Sequence, residues 1–172
     1  MMFAGSLRPE KNLPALFNAV AQINGAELFL AGDGPQKSEL MQLAADLSLA
    51  VTFAGRIPNP QLPAEINRSQ IFILPSLYEG HPKALIEAMA CGAAVIGTDV
   101  DGIRNVIEPE VTGLLCPPTV AGIQSALERL LADSQLRARL GRAARAFAVQ
   151  HYSLDKIVSR ELALLQKVQD NW

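Results

Sequence analysis

Short apolar runs alternate with helical patterns from one end of this chain to the other, and that alternation restricts the fold more than any single residue does. Apolar runs at 2–4, 26–31, 51–54, 71–74, 94–97 and 113–116 read as strands. Segments 14–23, 36–48, 61–67, 82–90, 104–107, 120–131, 135–150 and 154–168 carry helical spacing. A run such as Ile71-Phe72-Ile73-Leu74 is apolar at every position, which suits a strand buried on both faces. Strands of that kind, separated by amphipathic helices, predict an α/β domain: a parallel sheet with helices on both faces. At 172 residues the chain is long enough for one such core. Sheets of this type bind ligands beyond the carboxyl ends of their strands, so the loops after the strands are where function is sought.

Composition narrows the function classes. The chain is 49% hydrophobic and 19% charged, with a net charge of −2, which gives no electrostatic ground for nucleic-acid binding. It has no apolar run long enough to span a membrane, and its first residues lack the apolar stretch of a signal peptide. Cys91 and Cys116 have neither metal nor redox spacing and read as small buried hydrophobes of a reduced, cytoplasmic protein.

Four loops carry the chemistry. The first, Gly5 to Asn12, combines a close-turning Gly5 with Ser6 and two cations, Arg8 and Lys11, suited to clamping a diphosphate. The second is the turn Gly32-Asp33-Gly34-Pro35. The third is Gly55-Arg56-Ile57-Pro58. The fourth runs from Ser76 through Tyr78, Glu79, Gly80 and His81 into a helix opened by Pro82, Lys83, Ala84 and Leu85. Glu79 lies just before that helix and Glu87 inside it, eight residues on. Backbone N–H groups of Lys83, Ala84 and Leu85 stand between the two carboxylates, and such groups attract anions. This order of groups suits a ligand with phosphates in its middle and hydroxyl-rich sugars at both ends: a nucleotide sugar.

The stretch YEGHPKALIEAMACG (78–92) resembles the E-x7-E motif of retaining glycosyltransferases of the GT-B fold, in particular family 4, the group 1 glycosyl transferases. The similarity continues through AMACGAAVIGTDVDGIRNVIEPEVTGLLCPP (88–118) and covers nearly the whole chain. The resemblance implies a single Rossmann-like domain, the carboxyl-terminal, donor-binding half of a two-domain enzyme. It implies transfer of a hexosyl group from a UDP-, GDP- or ADP-sugar to an acceptor hydroxyl, without metal or cofactor, in polysaccharide, lipopolysaccharide or glycolipid biosynthesis. Glu79 would contact the donor hexose near the reaction centre and Glu87 the ribose hydroxyls. Lys11 and Arg8 would neutralise the diphosphate, Ser6 standing where relatives commonly carry Arg. Gly5, Arg56, Ile57, Gly80, Pro82, Lys83, Ala84 and Leu85 would complete the donor site, with His81 in a shape role. The acceptor would enter through an amino-terminal domain or partner chain, and residues 151–172 would form a helix packing toward it. Donor binding without efficient transfer is the expectation for this chain alone, and peripheral membrane contact belongs to the full enzyme. Two other readings stand beside this one: a non-catalytic nucleotide-sugar-binding subunit, and a nucleotide-sugar epimerase of the same fold.

Overall fold

The computed structural model describes residues 1–169. It contains six strands: β1 (Met2–Ala4), β2 (Glu27–Ala31), β3 (Ala50–Gly55), β4 (Ile71–Leu74), β5 (Ala94–Thr98) and β6 (Leu114–Cys116). Its helices are α1 (Leu13–Ala21), α2 (Lys37–Asp46), α3 (Leu62–Arg68), α4 (Lys83–Ala90), α5 (Asp101–Arg104), α6 (Val120–Ala132), α7 (Ser134–Tyr152) and α8 (Leu154–Gln169). The strands form one sheet in the order β3-β2-β1-β4-β5-β6, and every pairing is parallel. This is the doubly wound α/β arrangement expected from the alternation.

Burial explains why the middle strands read as unbroken apolar runs. Every residue of β1, β4 and β5 is buried, because helices cover both faces there. The edge strand β3 has no buried residue. α1 packs against α2 and α6, and α4 packs against α3 and α7, giving the two helical layers. Thr119 and Asp133 cap α6 and α7, their side-chain oxygens accepting from the amides of Gly122 and Leu136.

Three local features differ from the sequence expectation. The short helix expected at 104–107 lies at Asp101–Arg104 instead. Arg104 donates to the carboxylates of both Asp99 and Asp101 and so ties the helix to the end of β5. The first loop contains a 3-10 turn, Pro9–Lys11, with proline fixing its entry. Pro82 caps α4 from outside its first turn. The remaining helix and strand boundaries agree or move by one or two residues, the ordinary uncertainty of frayed ends.

α8 carries Leu154, Val158, Leu162, Leu165 and Val168, all exposed. Of the segment 151–172 assigned to a packing helix, residues 170–172 lie outside the described residues.

Candidate functional site

The strand order reverses between β1 and β4, where successive connections leave toward opposite edges of the sheet. Loops leaving two such neighbours diverge and open a crevice at their carboxyl ends. A cleft of about 450 Å³ lies there. Ala4, Gly5 and Ser6 line it after β1; Ala31, Gly32 and Asp33 after β2; Arg56, Ile57, Asn59 and Leu62 after β3. Lys83, Ala84 and Glu87 of α4 complete it. A hollow of about 480 Å³ at the opposite end of the sheet is lined by Met1, Glu27, Thr52, Glu65 and Arg68 among others. It holds none of the residues singled out by sequence and sits at the end of the sheet that doubly wound folds leave without ligands.

The floor of the cleft is backbone stacked on backbone. The Gly5 amide donates to the carbonyl of Ala31 at 2.9 Å, and the Gly32 amide to that of Gly55 at 2.7 Å. The Leu7 amide donates to the carbonyl of Asp33 at 3.1 Å. Three separate loops thereby act as one layer, and small residues at the crossings are what allow it.

Beside the cleft, Glu79 and Lys11 form an ion pair through Glu79 Oε1. The two side chains are 10% and 16% exposed, so the pair is largely shielded from water. Ser76 Oγ donates to the same oxygen at 2.8 Å. The Leu77 amide donates to the carbonyl of Glu10 at 2.8 Å, joining the β4 loop to the β1 loop directly. Thr98 Oγ1, at the end of β5, donates to the carbonyl of Ser76.

On α4, the Lys83 ammonium lies 3.5 Å from Glu87 Oε1, an i,i+4 pair on a half-open face. The expected set of unpaired amides here is smaller than the sequence implied. The Lys83 amide donates to the carbonyl of His81 at 2.9 Å and the Leu85 amide to that of Pro82 at 3.0 Å. The cause is the non-helical backbone of Pro82, which brings the His81 carbonyl onto the Lys83 amide and leaves its own carbonyl to the Leu85 amide. Of the three, only Ala84 keeps its amide clear of these turn bonds.

Half of the residues singled out by sequence therefore share the cleft: Gly5, Ser6, Arg56, Ile57, Lys83, Ala84 and Glu87. Lys11 and Glu79 stand beside it as a pair. Arg8 is exposed and, like Lys11, is not among the residues lining the cleft. Gly80 and His81 are exposed, His81 with its ring 6.3 Å from that of Tyr152. Pro82 and Leu85 are buried, and Leu85 belongs to the core. Asn59 was not singled out by sequence; a polar residue in a Pro-Asn-Pro turn carries no signal beyond turn chemistry. Ser76 was also missed as a partner of Glu79, and Thr98 as the partner of the Ser76 carbonyl, since nothing in the sequence marks either contact.

Both cysteines fit the role of small hydrophobes. Burial pushes the Cys116 thiol up to about 12, with the Asp99 charge adding to the effect. Burial also raises Cys91. Among the described residues, no helix is long and apolar enough to cross a membrane.

The fold is that of the α/β carboxyl-terminal domains of GT-B glycosyltransferases. The chain belongs to the glycosyl transferases group 1 family, whose profile matches residues 1–147. It is 32% identical over 166 residues to N-acetyl-alpha-D-glucosaminyl L-malate synthase of Bacillus anthracis, covering 93% of this chain and 43% of that protein. Its structure is similar to sucrose-phosphate synthase from Thermosynechococcus elongatus, with a TM-score of 0.93 and 29% identity over 99% of this chain and 45% of that one. It is also similar to Anabaena HepE in complex with UDP-glucose, with a TM-score of 0.90 and 25% identity over 96% of this chain and 48% of that one. The chain spans less than half the length of these proteins.

Proposed function

We propose that this chain is the donor-binding half of a retaining, metal-independent hexosyltransferase that uses a nucleotide sugar. One observation carries the reading: the cleft gathers the loops after β1, β2 and β3 with the start of α4, and the Lys11–Glu79 pair stands at its side. In this reading the base lies against Arg56 and Ile57, and the carboxylate of Glu87 accepts from the ribose diol. The diphosphate meets Gly5, Ser6 and the Ala84 amide, with Lys83 and Lys11 as cations. Glu79 faces the hexose. As the bond from the sugar to the diphosphate breaks, charge grows on the leaving phosphate, and fixed cations and amides stabilise it without reorganising. The acceptor hydroxyl attacks from the face the diphosphate leaves, so configuration is retained. HepE, as a complex with UDP-glucose, supports the donor class. The acceptor site falls to the part of the enzyme that this chain does not span, and the exposed apolar stripe of α8 is assigned to packing against that part. A polysaccharide, lipopolysaccharide or glycolipid pathway in the cytoplasm is the setting we infer.

A second reading, a nucleotide-sugar-binding subunit without transfer, is favoured by Ser6, which lines the cleft where an arginine would supply a cation. Calorimetric titration with UDP, GDP and ADP tests the donor site. Saturable binding of one of them, weakened by Glu87→Ala, is expected. A folded chain that binds none of the three, as diphosphate or as sugar nucleotide, overturns both readings. Transfer after the missing half is supplied separates them.

A further inference from the structure

We propose that Ser76 is a positioning residue that holds the carboxylate of Glu79 in one orientation toward the donor sugar, an inference that rests on the donor-site reading above. Ser76 is fully buried, and its hydroxyl has one described acceptor, Glu79 Oε1, at 2.8 Å. Lys11 donates to that same oxygen. Both donors thus commit Oε1, and Oε2 is the oxygen left to accept from a ligand hydroxyl. A carboxylate held at one oxygen by two donors from different loops cannot swing freely about its last torsions.

The serine is itself fixed. Its carbonyl accepts from Thr98 Oγ1, whose side chain is also fully buried. The Glu79 backbone is blocked from the other side by Gly102: a Cβ there would stand 2.0 Å from the Glu79 carbonyl oxygen. The loops after β1 and β4 thus hold the carboxylate, while the end of β5 and Gly102 brace the backbone that carries it. A buried hydroxyl used only for packing would be served as well by alanine; this one donates a charge-assisted bond to a group beside the cleft.

The experiment uses the full 172-residue chain. Binding of UDP-glucose, GDP-mannose and ADP-glucose, and of each matching diphosphate, is measured by calorimetry for wild type, Ser76→Ala, Glu79→Ala and the double variant. Thr98→Val serves as an independent disturbance of Ser76, and thermal unfolding confirms that each variant is folded. Ser76→Ala is expected to weaken the sugar nucleotide by about tenfold, the worth of one hydrogen bond to a charged group. It leaves the diphosphate alone within about twofold, since the diphosphate has no hexose for Glu79 to meet. In the Glu79→Ala background the Ser76 effect disappears, because the serine acts only through that carboxylate. A merely structural role would lower both ligands together and would persist without Glu79. If Ser76→Ala binds both ligands at wild-type strength, or weakens both equally, the positioning role is wrong while the donor site stands. If wild type binds no sugar nucleotide, the donor-site reading fails and the proposal with it; if Glu79→Ala binds the sugar nucleotide at wild-type strength, Glu79 does not meet the hexose and the positioning role is wrong while the donor site stands. If Ser76→Ala does not fold, Thr98→Val decides by the same split between the two ligands.

Discussion

The carbonyl oxygen of Gly5 lies 1.8 Å from the point where a Cβ on Gly32 would stand. No side chain fits between these two loops, and Gly32 also has φ near +144°, a region L-residues rarely enter. Gly32→Ala is therefore expected to push the β1 and β2 loops apart. We expect a loss of at least about 3 kcal/mol in urea unfolding, from strain and overpacking together. An alanine variant with wild-type stability would show that the loops are not in contact as described.

The Lys11–Glu79 pair makes a different prediction. Removing one partner leaves a shielded charge without compensation, which costs about 3–5 kcal/mol for a fully buried pair and less here because both side chains keep some water. Lys11→Met and Glu79→Leu are each expected to destabilise the chain. The double variant is expected to recover much of the loss, because no lone charge remains. Denaturant titration of all four proteins reads the coupling directly, and strict additivity would count against the pair.

Glu110 sets backbone strain against an ion pair. It adopts φ +65°, and its carboxylate meets Arg129 through two bonds of 2.6 Å each. The left-handed conformation costs a non-glycine residue about 1–2 kcal/mol, while an exposed ion pair returns about 0–1 kcal/mol. Glu110→Gly should therefore be neutral or slightly stabilising, and Glu110→Ala destabilising. Arg139 still donates to the backbone carbonyl in both variants. Thermal unfolding of the pair checks the order.

Cys116 gives a pH dependence. Its folded value is raised to about 12 from an unfolded value of 9.0, so below pH 9 both states hold the proton and nothing changes. Above pH 9 the unfolded chain releases a proton that the folded chain retains, and stability falls as pH rises. The slope is up to about 1.4 kcal/mol per pH unit between the two values. Cys116→Ala lowers stability overall but removes this slope. Urea unfolding at pH 8 and pH 10 on both proteins measures the difference.

Much of this architecture is legible from local signals. Ile71–Leu74 announces a doubly covered strand, and Pro82 with the two glutamates announces a loop entering a helix. The alternation of elements is enough for the sheet class. The position of α5 is not local in origin: Arg104 reads as the start of a helix, yet its bonds to Asp99 and Asp101 make it the last turn. The contact between Lys11 and Glu79 joins residues 68 apart, and no periodicity reports it. The same holds for Ser76 and Thr98, which meet only because β4 and β5 are neighbours. The charge of Arg8 suits a phosphate, but its sequence does not tell whether the side chain joins the cleft lining, from which it is absent here.

The pairing of Lys11 with Glu79 also bears on how a ligand arrives. Lys83 is matched by Glu87, and Asp33 lines the same cleft as Arg56, so the cations near the opening are offset by nearby acids. Beyond a Debye length of about 8 Å little field remains to draw in a polyanion. Capture is then a matter of collision followed by exchange of partners within the cleft. Association should hardly respond to added salt, and one nucleotide should be told from another by how long it stays.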